Sequence, residues 1–199
     1  MAHYFDSTNT KSQERLIEID YDNLNLYFYS DNSVFSKSEL DEGSEILIRT
    51  FLNNYNGNLY CLDLGCGLGV VGIISNKINS DFKFDYVDIN ARAVHLTKKN
   101  LALNNLKGEV MASDCLDAVV ETDKKYDIII ANPPIRAGNA TLFKMFSQSK
   151  EVLSKGGKFI VVLRVKQGAK TYINHIEEIY GNSNILEKKK GFIVCEFTN

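Results

Sequence analysis

Four stretches of this 199-residue chain place residues where they can do chemistry. In residues 62–72, LDLGCGLGVVG, an apolar run reaches Asp63 and then crosses Gly65, Gly67 and Gly69 before apolar residues resume. Glycine turns tightly and lets a ligand approach the backbone without a Cβ in the way. Gly67, Gly69 and Gly72 also satisfy the GxGxxG dinucleotide spacing, a pattern that is weak alone. Asp63 beside the loop is awkward for a pyrophosphate and suits a cationic or zwitterionic ligand. Asp88, in DYVDIN, lies 19 residues after Gly69, where an acid can accept hydrogen bonds from ribose hydroxyls. Asp114, in SDC, can accept one from an exocyclic amine such as that of adenine. Residues 131–138, ANPPIRAG, hold the only two prolines of the chain. Asn132 supplies a side-chain carbonyl, while Pro133 and Pro134 have a stiff backbone without N–H and present only acceptors. Acceptors suit a substrate NH2. An amine on an aromatic ring is a poor nucleophile because its lone pair is delocalised, and acceptors that take both hydrogens favour a more pyramidal nitrogen.

These residues need a scaffold that brings them to one edge. After Gly57 short apolar strands alternate with longer helical stretches. Strands are predicted at 58–63, 83–88, 108–112, 126–131 and 157–163, and helices at about 40–54, 70–78, 91–104, 140–153 and 169–180. This α/β rhythm implies a mostly parallel sheet covered by helices, with ligands bound beyond the carboxyl ends of the strands. Asp63, Asp88 and Asp114 then end three successive strands, and the Asn-Pro-Pro turn ends the fourth. Residues 184–188 and 192–197 read as a closing antiparallel hairpin, which brings the sheet to seven strands. Residues 14–19 and 24–29 read as an N-terminal hairpin. One domain is expected over residues 1–199, with an extension at 1–35 and the core at 57–199.

Composition narrows the classes. With 44% hydrophobic and 24% charged residues the chain is an ordinary globular one. No apolar run approaches the roughly 18 residues that cross a bilayer, and the N-terminus lacks a basic start followed by an apolar stretch, so a cytoplasmic location is the default. Cys61, Cys66, Cys115 and Cys195 form no CxxC pair and the three histidines are scattered, so no metal site is expected. Residues 1–143 carry 13 Lys and Arg against 20 Asp and Glu, and residues 144–190 carry 10 against 4. That basic third, which includes Lys150, Arg164, Lys166 and Lys188 to Lys190, is either a phosphate-facing surface or a solvated face.

Together LDLGCGLG, the acids in DYVDIN and ASDC, and ANPPI resemble the class I S-adenosylmethionine-dependent methyltransferases that modify exocyclic nitrogens. VFSKSELDEGSEILI, NPPIRAG, GGKFIVVLRVKQGA and KKKGF narrow this to single-domain relatives of the bacterial small-subunit ribosomal RNA guanine-N2 methyltransferases. The resemblance covers nearly the whole chain and implies a Rossmann-like fold. It also implies that Asp63, Gly65, Cys66, Gly67 and Gly69 surround the methionine part of the cofactor. Asp88 and Ile89 hold its ribose and adenine, and Ser113 and Asp114 contact the adenine. Asn132 and Pro133, with Pro134 and Ile135 beside them, orient the target amine, and Phe35 closes over cofactor or base. Better-known members carry two tandem domains; this length suits only the catalytic one. Nucleobase enzymes commonly have an aromatic residue where Ile135 stands, and Ser33 replaces a frequent glycine.

The implied partner is ribosomal RNA or the small subunit, with the oligomeric state open. N-methylation of a protein glutamine fits the same acceptors. A cofactor-binding module without catalysis and a dehydrogenase are further alternatives; intact Asp63, Asp88, Asp114 and Asn132 argue against the first, and the Asn-Pro-Pro turn against the second.

Overall fold

A computed structural model describes residues 13–31 and 40–199. β1 (Arg15–Tyr21) and β2 (Leu24–Ser30) form an antiparallel hairpin, followed by α1 (Glu42–Asn54). The alternating part runs β3 (Tyr60–Leu64), α2 (Val70–Ile78), β4 (Lys83–Asp88), α3 (Ala91–Leu103), β5 (Val110–Ala112), α4 (Asp117–Val120) and β6 (Tyr126–Ala131). It continues with α5 (Asn139–Val152), β7 (Leu153–Arg164) and α6 (Ala169–Tyr180), and closes with β8 (Asn184–Lys189) and β9 (Phe192–Thr198).

The large sheet has seven strands in the order β5-β4-β3-β6-β7-β9-β8. β3 to β7 are parallel, and β9 runs antiparallel between β7 and β8. The chain enters at β3, winds outward to β5 and returns to β6 on the other side of β3. Strand order reverses there, and a crevice opens beyond the carboxyl ends of β3 and β6, where the glycine loop and the Asn-Pro-Pro turn lie.

Both faces of the sheet are covered, so its strands are continuous apolar runs instead of alternating ones. In β6, Ile128 and Ile130 join the core beneath α1, α2 and α3, while Ile129 and Ala131 join the core that includes α5 and α6 residues. Ile160 and Val162 of β7 point to the first core, and Phe159, Val161 and Leu163 to the second.

The hairpin buries Ile17, Ile19, Tyr21, Leu26 and Phe28 against the first core. Asn100 of α3 and Asn104, which caps the end of that helix, fasten it. Asn100, fully buried, accepts from the Tyr29 N–H at 2.6 Å and donates to the Tyr29 carbonyl at 3.1 Å and to the Leu68 carbonyl at 2.9 Å. Asn104 donates to the Tyr27 carbonyl at 3.0 Å. One amide therefore ties hairpin, helix and glycine loop together.

Apart from shifts of one or two residues at other element ends, the structure differs from the sequence reading in four places. β3 covers residues 60–64, not 58–63. β5 is confined to Val110–Ala112; just before it the Glu109 N–H donates to the Asp85 carboxylate at 3.0 Å, and Gly108 lies so close to β4 that a Cβ would be 2.2 Å from the Phe84 carbonyl oxygen. β7 begins at Leu153 rather than 157, directly after α5. An irregularity in its pairing with β6 falls between Tyr126 and Ile128, and near it Gly156 takes φ +77° and Gly157 lies against backbone carbonyls. The four-residue α4 was not foreseen, being too short to show a helical period.

Replacing Asn100 by leucine is expected to leave the Tyr29 and Leu68 backbone groups unsatisfied and to lower stability by about 2–4 kcal/mol. Urea unfolding of the two proteins measures this; equal midpoints would show that the amide network does not hold the hairpin.

Candidate active site

The loop after β3 bends through three left-handed glycines, Gly65 (φ +74°), Gly67 (φ +57°) and Gly69 (φ +77°). The neighbouring strand holds it. The N–H groups of Gly65 and Cys66 donate to the Val87 carbonyl at 2.8 and 3.0 Å, and the Gly67 N–H donates to Asp88 Oδ2 at 2.9 Å. From α3 the Thr97 hydroxyl donates to the Gly67 carbonyl at 2.9 Å. A Cβ on Gly65 or Gly67 would meet nothing within 4 Å, so both leave open room for a ligand. Gly69 and Gly72 serve packing instead: a Cβ would come within 2.9 Å of Thr97 at the first and 2.6 Å of Tyr86 at the second. Gly69 is not part of the cavity wall.

That cavity measures about 710 Å³ and is walled by Asp63, Gly65, Cys66, Gly67, Asp88, Ile89, Ser113, Asp114 and the 132–135 turn, among others. The structure thus gathers the sequence-predicted residues in one place, apart from Gly69 and from Phe35, which lies outside the described residues. Asp63 is buried and accepts from the Gly72 N–H at 3.0 Å, with no ion pair to a described cation. Burial pushes its carboxyl up to about 7; the Gly72 N–H opposes the rise and the Asp88 charge adds to it. Asp88 is also raised by burial, opposed by the N–H groups of Asn90, Gly67 and Ile89. Between these acids the buried Cys66 thiol is held well above its usual range by burial, then by the charges of Asp88 and Asp63, so it is a neutral wall residue. Ser113 donates its N–H to the Asp88 carbonyl at 3.0 Å and accepts from the Ala118 N–H at its hydroxyl, also at 3.0 Å. Asp114 sits at the rim, its half-exposed carboxylate 3.2 Å from Lys144 Nζ.

The opposite wall comes from the fourth strand end. Asn132 donates through Nδ2 to Asp41 Oδ1 and to Ser44 Oγ, each at 3.1 Å. The Pro134 carbonyl accepts from the Ala137 N–H at 2.8 Å within a 3₁₀ turn at Ile135–Ala137, which leaves the Pro133 carbonyl as the backbone acceptor of the pair. Sequence reasoning missed Asp41, Gly43, Ser44, Arg164 and Phe192 as wall residues. The DEGS segment, part of the VFSKSELDEGSEILI resemblance, starts a helix as expected: Asp41 caps α1, accepting from the Ser44 N–H at 3.0 Å. Arg164 and Phe192 pair across β7 and β9, with the guanidinium 5.4 Å from the ring centre. Phe192 is the one aromatic side chain in the cavity wall among the described residues.

The sequence profile of the methyltransferase small domain family matches residues 25–196. The chain belongs to this family. It is a class I S-adenosylmethionine-dependent methyltransferase. The methyltransferase is 33% identical to the protein YbxB of Bacillus subtilis over 198 residues, 98% of this chain and 96% of that one. It is 39% identical over 142 residues to ribosomal RNA small subunit methyltransferase C of Haemophilus influenzae, covering 69% of this chain and 42% of that protein. Among solved structures, the Thermus thermophilus 16S rRNA N2 G1207 methyltransferase, in complex with AdoMet and guanosine, superposes with a TM-score of 0.83 at 23% identity. The match covers 95% of this chain and 51% of that one. The chain thus spans about half the length of these ribosomal RNA methyltransferases. Its cavity fits the family's cofactor: two glycines leave open room beside a buried carboxylate that pairs with no cation among the described residues, and the volume lies within the roughly 300–1,000 Å³ usual for such ligands.

Between about pH 4 and 7 the folded chain retains an Asp63 proton that the unfolded chain gives up, so the destabilisation from charging this group grows with pH and is complete above 7. Asp63→Asn is therefore expected to stabilise the cofactor-free protein at pH 8 by about 2–4 kcal/mol, a gain that shrinks as pH falls toward 4. Denaturation across that range measures it; a gain independent of pH would contradict the burial argument.

Proposed function

We propose that this methyltransferase modifies the exocyclic N2 amine of a guanine in small-subunit ribosomal RNA. The observation that carries the reading is the acceptor pair of Asn132 and Pro133 in the same cavity as the glycine loop and the strand-end acids. Two oxygen acceptors select an amine: its two hydrogens pair both, whereas a hydroxyl pairs one and a carbonyl neither.

In this reading the ionised Asp63 takes the ammonium of the cofactor's methionine part, and Gly65 and Gly67 let that part lie against the backbone. The Asp88 oxygens accept the Gly67 and Asn90 N–H groups, with the Ile89 N–H also beside them, and lone-pair capacity remains for a ribose hydroxyl. Ile89, 40% exposed, offers an apolar face for the adenine. Ser113 and Asp114 stand at its amine edge. When bound, S-adenosylmethionine supplies an electrophilic methyl and a sulfonium leaving group. The protein's own part is alignment: Asn132 Oδ1 and the Pro133 carbonyl accept the two amine hydrogens and aim the nitrogen lone pair along the transfer line. The methylated nitrogen is cationic and acidic, so it sheds its proton without a strong base.

RNA as the substrate is supported by the names of the relatives and by the surface around the mouth. Arg136, Arg164 and Lys166 are exposed there, and Lys188, Lys189 and Lys190 are exposed in and beside the β8–β9 turn. Phe192 supplies the aromatic face that Ile135 lacks, a contact worth about 1–3 kcal/mol for a stacked base. The base must be unpaired or flipped to enter.

Incubating the protein with labelled cofactor and unmethylated small subunits or their RNA, followed by mass spectrometry of nucleosides, is expected to give N2-methylguanosine. Asn132→Ala should lower the transfer rate about 100-fold at unchanged cofactor affinity. Label found only in protein would replace RNA by a glutamine amide as the substrate, and full activity of the variant would refute the amine grip.

A further inference from the structure

We propose that Asp41, which caps α1, is a positioning residue that decides which way the Asn132 amide faces, with Ser44 of the first turn holding the amide's second hydrogen, and that the pair so makes the cavity accept a donor amine. The inference rests on the amine-methylation reading and adds to it the origin of its specificity.

An asparagine amide turned through half a revolution exchanges an acceptor for a donor, so an unrestrained Asn132 would read a carbonyl as readily as an NH2. Asn132 is restrained on both hydrogens. Asp41 Oδ1 and Ser44 Oγ each lie 3.1 Å from its Nδ2. The Asp41 carboxylate is an acceptor, so the turned amide would set two oxygen acceptors against each other there, which costs the desolvation of both; the Ser44 hydroxyl can accept or donate, and so holds the amide in place without choosing its facing. The carboxylate cannot swing aside cheaply, because the same Oδ1 caps α1 by accepting from the Ser44 N–H at 3.0 Å. With both Nδ2 hydrogens taken, Oδ1 of Asn132 is left over, and no described residue donates to it. Gly43 makes the approach close. A Cβ there would lie 3.2 Å from Asp41 Oδ1, 3.3 Å from Asn132 Nδ2 and 3.2 Å from the Phe192 ring, so a side chain would fit only if these groups moved by a few tenths of an ångström.

Three variants separate orientation from other effects. Asp41→Asn keeps an oxygen at the same place and removes the charge; the Ser44 N–H locks it, since a turned side chain would set NH2 against N–H. Asp41→Ser keeps a helix cap but is too short to reach Asn132. Ser44→Ala removes only the second acceptor. Using small subunits and labelled cofactor, Asp41→Asn is expected to retain most of kcat. Asp41→Ser and Ser44→Ala should lose about 10- to 100-fold in kcat, with cofactor Kd and unfolding midpoint nearly unchanged. A second readout needs no substrate. In 15N-labelled protein, assigned with Asn132→Asp, both Asn132 side-chain amide protons should exchange slowly with water in the wild type and Asp41→Asn, and at least one should exchange fast in the other two variants.

Unchanged exchange and kcat in Asp41→Ser and Ser44→Ala would overturn the proposal. An Asp41→Asn protein as slow as Asp41→Ser would also overturn it, by showing that the carboxylate's charge, and not the facing of the amide, is what the reaction needs. If the wild type methylates no RNA the function reading fails, and the amide protons still decide this one.

Discussion

The site depends on the anchoring of one loop by the neighbouring strand. Three consecutive residues after β3 surrender their N–H groups to the end of β4: Gly65 and Cys66 to the Val87 carbonyl, Gly67 to the Asp88 carboxylate. A backbone bent through left-handed conformations is stable only where its polar groups find such fixed partners. Asp88 also accepts from the Asn90 N–H at 2.8 Å, and Asn90 caps α3. The same carboxylate thereby sets the loop, the start of the helix and one wall of the cavity. Its charge comes at a cost, because burial raises both Asp88 and its neighbour Asp63. Two buried acids with no described cation beside them destabilise the empty fold and favour a ligand that brings positive charge, so stability is given up where binding is gained.

The cavity has two halves of different origin. One is local: β3, β4 and β5 end in the acids and the glycine loop, and α3 clamps that loop from behind through Thr97 and Asn100. The other is assembled across the chain: β6 brings the acceptors, α1 fixes the Asn132 amide, and β7 and β9 bring Arg164 and Phe192 to the rim. The antiparallel β9 is what permits the last contribution. Its first residue, Phe192, pairs with Arg164, the last residue of β7, at the same sheet edge where the parallel strands end.

That division explains what could be read from sequence. The βα rhythm was legible because strands buried on both faces are unbroken apolar runs, and Asp63, Gly65, Gly67 and Asp88 were legible because each stands at a strand end within a short motif. Asn132 and Pro133 were legible as acceptors for the same reason. Asp41 and Asn132 lie 91 residues apart, and no spacing in one sequence announces that contact. Asn100 looked like one more polar residue on α3, and Phe192 like one more strand aromatic. Gly69 was the opposite case: its motif suggested a ligand contact, yet its missing Cβ makes room for Thr97. Whether a glycine of this loop faces open space or a packed neighbour is decided by the adjacent helix, not by the loop.

The central claim is that Asn132 presents its carbonyl oxygen, beside that of Pro133, to an amine on an aromatic base. A crystal structure of the protein with S-adenosylhomocysteine and guanosine addresses it most directly. The account predicts that the guanine amine donates to Asn132 Oδ1 and to the Pro133 carbonyl, with Asn132 Nδ2 still on Asp41 and Ser44. A base bound with its amine elsewhere, or an Asn132 amide turned so that Nδ2 faces the ligand, would contradict it.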